Sequence, residues 1–233
     1  MNIPFFYEPF NDISFFQLGD ANRHHVLQVL RMKEGEKIFV TNGAGQKILV
    51  VLRNVSKRSC KVEVLETFEV DRRKPNLHIG ISFTKNPSRM EWFLEKATEL
   101  GIETITPLIT QRSEKIFFKK ERFEKILIAA MLQSQQTYLP RLNEMTLLKK
   151  VAETEAEQKY IAYCGKEYEK QNLAKILSPS KDTLFLIGPE GDFTMDEVYL
   201  CHQNKCKVVE LGQNRLRTET AGLYVCTLFN AIQ

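Results

Sequence analysis

Near residue 77 the apolar pattern changes its period, and that change restricts the fold more than any other feature of the chain. Before it, short strand-like runs follow one another. Residues 37–41 and 46–52 flank Asn42 and Gly43, a step that supports φ > 0 and reads as a hairpin turn. Residues 61–68 place Val62 and Val64, with Phe68 as a further candidate, on one face of another strand. One helix fits residues 20–32, with Val26, Leu27 and Leu30 as its apolar stripe. Short strands with a single helix suggest a small barrel. Residues 71–76 are polar, charged and proline-containing, and read as a linker.

From residue 77 strands and helices alternate. Strands are expected at 77–83, 103–108, 159–164, 183–187 and 207–211. Helices are expected at 88–100, 119–137, 147–155, 168–177, 194–204 and from Thr218 onward. Ser88 with Glu91, and Thr194 with Glu197, have the spacing of capping boxes, and Gly101 suits the end of the first helix. Such alternation implies an α/β fold with a mostly parallel sheet and helices on both faces.

Composition excludes several classes. The 233 residues accommodate one large domain or two modest ones. With 43% hydrophobic and 27% charged residues, the chain is neither disordered nor low in complexity. Apolar runs such as 184–187 are too short for a membrane helix. The start lacks a basic region followed by an apolar stretch, so no secretory leader is expected. Cys60, Cys164, Cys201, Cys206 and Cys226 are odd in number, widely spaced and free of a CxxC pair. A reduced, cytoplasmic protein without a metal site is the expectation. His24 and His25 are adjacent, which turns their side chains apart.

Net charge is 33 − 29 = +4. Residues 1–74 hold 12 basic and 9 acidic side chains, or +3 of that excess. Arg53, Lys57, Arg58 and Lys61 form a run without an acid among them, and Arg72, Arg73 and Lys74 form another. Each run reads equally as a solvated face or as a phosphate contact.

Two strand-to-helix loops could carry chemistry, because ligands of parallel sheets bind beyond the carboxyl ends of the strands. The first is Gly188, Pro189, Glu190, Gly191, Asp192 and Phe193. Its glycines permit close approach to the main chain, although a plain turn explains them equally well. The second is 211–221. There Thr218 suits an N-cap and Glu219 the positive end of a helix dipole. Arg215 and Arg217 stand at the end a cation disfavours, which points to an anionic ligand or to the acidic side chains. Dinucleotide (GxGxxG), phosphate-loop (GxxxxGK[ST]), esterase (GxSxG) and zinc-protease (HExxH) signatures are missing from the sequence.

Residues 187–194, followed by Leu211, Gly212 and 216–221, resemble the 16S ribosomal RNA uracil-N3 methyltransferases of the SPOUT superfamily. Lys85, Arg89, Met90, Glu91, 96–101, Pro107 and Arg112 are similar to the first α/β unit of that family. Arg23, His24, His25, 29–31 and Gly35 are similar to its N-terminal segment. The resemblance runs through nearly the whole chain with the motifs in order.

It implies a PUA-like RNA-binding β-barrel at 1–70, a linker at 71–76, and a SPOUT methyltransferase domain at 77–233 with a C-terminal trefoil knot. The methyl donor, S-adenosylmethionine, would meet Cys164, Ile187, Gly188, Pro189, Glu190, Gly191, Leu211, Gly212, Leu216, Arg217, Thr218, Thr220 and Ala221. The implied partners are 16S rRNA of the small ribosomal subunit and a second copy of the chain, without membrane or metal. Uracil N3 is a poor nucleophile until its proton leaves. Arg217 is therefore the candidate to stabilise the deprotonated base. Glu219 is the candidate to accept the proton or to orient Arg217, and a capping role explains it equally. Arg23, His24, His25, Arg31, Lys85, Arg89 and Arg112 are candidate RNA contacts. The family usually has glycine where Asp192 stands, a positive residue where Gln136 stands and arginine where Asn214 stands. A tRNA or 23S rRNA methyltransferase, or a catalytically idle assembly factor, are the alternative readings.

Overall fold

Asn42 and Gly43 turn the chain between two antiparallel strands, β3 (Lys37–Thr41) and β4 (Gln46–Arg53). The Asn42 side chain accepts hydrogen bonds from the amides of Ala44 and Gln46, while Gly43 adopts φ 71°. This is a computed structural model, and it describes residues 3–10, 16–56, 59–113 and 118–233. Lys57 and Arg58 of the first basic run lie outside the described residues. The chain divides into two compact units, one of residues 1–72 with 131–139, the other of 73–130 with 140–233.

In the first unit β1 (Phe5–Tyr7), β2 (Phe16–Gln17) and β5 (Lys61–Glu69) join the hairpin in a five-stranded sheet of order β1-β3-β4-β5-β2. Phe6, Val26, Ile38, Val40, Ile48, Val50, Leu52 and Val62 form its core. The segment 131–139 joins this unit through its hairpin turn. Gly45 donates to the Thr137 carbonyl at 3.0 Å, and Leu139 to that of Gly43 at 2.9 Å.

Two expectations for this unit are corrected. Leu49 pairs with Glu66 and Val50 with Val64, so Leu65 is an extra residue in β5. Such a bulge reverses the alternation. Phe68 therefore stands opposite Lys47, edge-on to Phe39, on the face away from Val62 and Val64. The helix at 20–32 is two pieces, α1 (Asp20–His24) and a π-helical turn (His25–Val29). The wider turn rotates the stripe, so Val26 is buried while Leu30 is 41% exposed.

The second unit contains an all-parallel sheet. Its strands are β6 (Leu77–Ile81), β7 (Thr104–Ile109), β8 (Arg141–Leu142), β10 (Gln158–Ala162), β11 (Gln171–Asn172), β12 (Thr183–Ile187) and β13 (Lys207–Glu210). They run in the order β11-β13-β10-β12-β6-β7-β8, and β9 (Thr146–Leu147) pairs with β7. The helices are α2 (Pro87–Glu99), α3 (Lys120–Gln133), α4 (Leu148–Ala152), α5 (Leu173–Ile176), α6 (Met195–Gln203) and α7 (Thr218–Ala231). All five residues of β12 are buried. Gly80 in β6 lies so close to Leu186, Leu108 and Val151 that a Cβ would come within 2.9 Å of Leu186. Gly222 in α7 similarly admits Phe93 of α2.

Helix ends account for the remaining differences. Asn86, not Ser88, caps α2: its side chain accepts the Ser88 amide at 3.1 Å with Pro87 at the first helical position. Glu91 pairs instead with Arg122 at 2.7 Å. Helix α3 ends at Gln133 rather than 137, because Gln135 turns left-handed at φ 56° and Gln136 donates to Met131 O at 2.9 Å. Residues 168–177 are mainly not helix. Gln171 and Asn172 pair with β13, and Asn172 caps only the short α5. Among the described residues no helix is long and apolar enough to cross a membrane, and no cluster of three or more His, Cys, Asp or Glu could hold a metal.

His78 sits in β6 with Nε2 2.7 Å from Thr106 Oγ1, which also accepts from Asn143 Nδ2 at 2.8 Å. Burial pushes its pKa from 6.5 down to about 4. Between those values the unfolded chain holds a proton that the folded chain does not, so stability falls as pH drops through this window. The full loss is about 3 kcal/mol. Urea unfolding at pH 7.5 and 4.5 will show this decline, and His78→Gln will lose that part of the pH dependence.

Candidate functional site

Strands β13, β10 and β12 are neighbours, so the loops that leave their carboxyl ends converge. Together they enclose a cavity of about 800 Å³. Of the residues expected at a donor site, Cys164, Ile187, Gly188, Pro189, Glu190, Leu211, Gly212, Leu216, Arg217, Thr218 and Ala221 line it. Gly191 and Thr220 do not. Gly191 faces Arg112, and Thr220 is exposed on α7.

The loop 188–193 is held from several sides. Phe193 is buried and packs against Gly188, where a Cβ would come within 3.1 Å of its ring. Arg112 Nη1 donates to the carbonyl of Gly191 at 2.6 Å and reaches that of Phe193 at 3.4 Å. Arg215 Nη2 donates to Glu190 O at 3.0 Å. Thr194 and Glu197 form the expected capping box, and Glu197 Oε1 also accepts the Gln111 amide at 2.7 Å. That buried carboxylate thus ties the start of α6 to the end of β7.

Asp192 takes φ 63°, the backbone region that explains why glycine is usual there. Its Oδ1 accepts the Phe193 amide at 2.8 Å, and its Oδ2 accepts the Cys164 amide at 2.9 Å. On the other side of the same residue, Lys170 Nζ donates to the carbonyls of Cys164 at 3.3 Å and Gly165 at 2.7 Å. The Cys164 thiol pKa is raised, first by burial and then by the Asp192 charge. Asp192 and Lys170 both line the cavity. Sequence spacing alone did not signal that two residues 22 positions apart (192 − 170) grip one peptide.

Thr218 is not the N-cap. Arg217 occupies that position without a side-chain cap, and Thr218 turns its hydroxyl to the Gly188 carbonyl at 3.1 Å. This joins the second loop to the first at a buried point. Glu219 lies in the first turn of α7, with its side chain 8% exposed. Its Oε1 is 3.7 Å from Arg89 Nε, and its Oε2 has no hydrogen-bond partner among the described residues. Arg89 Nη1 is also 3.8 Å from Glu190 Oε1, so one guanidinium stands near two carboxylates. The cation beside Glu219 is therefore Arg89, from α2. Arg217 is exposed and lines the cavity.

The candidate RNA contacts fall in both units. In the first, Arg23 pairs with Asp20 at 2.8 Å, His24 and Arg31 are exposed, and His25 meets Phe6 edge-on at 5.6 Å. In the second, Lys85 is exposed, Arg89 stands beside Glu219, and Arg112 braces the loop 188–193.

A family model described as an RNA methyltransferase domain matches residues 72–230, and one described as an RNA methyltransferase PUA domain matches 18–65. A probable rRNA-methyltransferase from Porphyromonas gingivalis is 34% identical with TM-score 0.93, covering 99% of this chain and 98% of that one. Ribosomal RNA small subunit methyltransferase E from Neisseria gonorrhoeae, bound to S-adenosyl methionine, is 26% identical with TM-score 0.88, covering 99% and 98%. Ribosomal RNA small subunit methyltransferase E from Bacillus subtilis (strain 168) is 28% identical over 223 residues, 90% of this chain and 87% of that protein.

The Thr218–Gly188 bond gives a direct test of how the loops are joined. Thr218→Val keeps the shape but leaves a buried carbonyl without its donor, a cost of about 1–3 kcal/mol. Chemical denaturation will register that loss with the slope m unchanged.

Proposed function

The chain belongs to the RNA methyltransferase family, and from that premise we propose that it transfers a methyl group from S-adenosylmethionine to N3 of a uridine in 16S rRNA. The cavity closed by the three loops carries this reading. Its size suits a drug-sized ligand, and its glycine loop brings main-chain groups to the surface. Bound there, S-adenosylmethionine supplies an electrophilic methyl group on a sulfonium.

The protein's own work is then to strip and align the nucleophile. Uracil N3 carries a proton, and its lone pair is usable only when that proton departs. Glu219 is assigned to take that proton or to orient the neighbouring cation. It lies beside the cavity without lining it, its Oε2 buried and without a partner among the described residues and its Oε1 facing Arg89. Arg217, at the cavity, is assigned to the uracil carbonyl oxygens, where negative charge grows. Alignment of N3 with the methyl carbon supplies much of the remaining rate. Because N3 lies on the pairing edge, the target base must be unpaired or extruded.

The proposal gives residues 1–70 the role of a PUA-like RNA-binding barrel, 71–76 that of a linker and 77–233 that of a SPOUT domain with a C-terminal trefoil knot. The PUA match at 18–65 supports the first assignment, and the non-sequential order of β13, β10, β12 and β6 suits the last. Arg23, His24, His25, Arg31, Lys85 and Arg89 are proposed to face RNA, whereas Arg112 is committed to loop carbonyls. A cytoplasmic homodimer completes the reading; the odd cysteine count suits a reducing compartment.

Labelled-methyl transfer to small subunits and to naked 16S rRNA, followed by mapping of the modified base, tests the proposal. Wild-type protein will create one reverse-transcription stop. Arg217→Ala and Glu219→Gln will each reduce kcat/KM by roughly 100-fold. Transfer only to tRNA or 23S rRNA would replace the target, and absence of donor binding would favour an idle assembly factor.

A further inference from the structure

We propose that Asp192 is a positioning residue that, with Lys170, clamps the Cys164 peptide and so sets the wall of the donor cavity. The inference rests on the reading of that cavity as the S-adenosylmethionine site. Both polar groups of one peptide residue are held by side chains of opposite charge. The amide of Cys164 goes to Asp192 Oδ2 at 2.9 Å, and its carbonyl goes to Lys170 Nζ at 3.3 Å. Lys170 also holds the next carbonyl, that of Gly165, at 2.7 Å.

The geometry leaves this turn little freedom. A Cβ on Gly165 would fall 2.2 Å from Glu167 Oε2 and 2.3 Å from the Tyr163 ring, so a side chain there would displace that pair. Tyr163 donates its hydroxyl to Glu167 Oε2 at 3.0 Å, closing the turn on itself. Asp192 is the link from this turn to the loop 188–193, where its own amide bonds Pro189 O at 2.9 Å. A glycine at 192 would adopt φ 63° as easily but would have no carboxylate to cross the gap. The chain thus connects two donor loops by a charge-assisted hydrogen bond, a stronger link than a neutral one. It also commits the Cys164 amide to the protein, so that this amide is not a donor to the ligand.

The left-handed backbone makes the test clean. Asp192→Gly and Asp192→Asn both tolerate φ > 0, so neither should disturb the fold. Asparagine keeps one acceptor oxygen, and glycine keeps none. Calorimetry with S-adenosylmethionine is expected to show about tenfold or greater loss of affinity in Asp192→Gly, with recovery of most of that loss in Asp192→Asn. Hydrogen exchange at the Cys164 amide should quicken in Asp192→Gly, while rRNA affinity stays near wild type and the protein still unfolds in a single cooperative transition. Lys170→Met should weaken donor binding too, and the double variant should lose less than the product of the single losses. Equal donor affinity in wild type and Asp192→Gly would overturn the clamp, as would an unchanged exchange rate at Cys164. A wild-type protein that binds no donor would instead overturn the reading of the cavity, and the clamp with it.

Discussion

The pairing of β12 on both edges, with β10 on one side and β6 on the other, is the constraint on which the site depends. A strand buried on both faces favours apolar side chains, and all five residues from Thr183 to Ile187 are buried, with the Thr183 hydroxyl hydrogen-bonded to Gln158 and Lys181. Parallel pairing then places the ends of β10, β12 and β13 on one edge. The chain must turn there in three consecutive loops, and main-chain groups that leave the ladders need new partners.

Side chains from distant parts of the sequence supply many of those partners. Arg112 takes the Gly191 carbonyl, Thr218 takes that of Gly188, Arg215 takes that of Glu190, and Asp192 takes the Cys164 amide. These bonds, rather than regular secondary structure, fix the course of the loops. A cavity built from such loops is preorganised, and preorganisation is what an alignment-limited methyl transfer requires. The same economy explains why two arginines tolerate the unfavourable end of the α7 dipole. Arg215 faces the Glu190 carbonyl, and Arg217 is exposed to solvent at the cavity, where the dipole is screened.

Much of the second unit was legible because its signals are local. Apolar runs marked β12 and β13, and the Thr194–Glu197 capping box needs only four consecutive residues. Eleven expected donor residues meet in one cavity because their motifs occupy strand ends, whose meeting follows from parallel topology. What escaped depends on partners far away in sequence. The bulge at Leu65 exists only relative to β4, so alternation alone carried Phe68 to the wrong face. Residues 168–177 have helical composition, yet pairing of Gln171 and Asn172 with β13 outweighs that propensity. Asn86 won the α2 cap over Ser88 because Pro87 suits the first helical position. Thr218 has the right chemistry for a cap, but the Gly188 carbonyl, 30 residues earlier, claims its hydroxyl.

Charge shows the same dependence on placement. Of the +4 total, +3 falls within residues 1–74, which by itself suggests an RNA-facing unit. Yet Arg23 pairs with Asp20 and Arg53 with Glu63, at 2.8 and 2.7 Å, so part of that basic inventory is already engaged. Exposed pairs of this kind are weak, about 0–1 kcal/mol, and a phosphate can replace the carboxylate at small cost. Arg112 is different: its partners are carbonyls of the loop 188–193, and giving them up for RNA would release that loop. The cations that can meet RNA without cost to catalysis therefore include exposed ones such as His24 and Arg31 and those in weak pairs, but not Arg112. A charge sum ranks every arginine equally, whereas the partners that each already holds decide which of them is available.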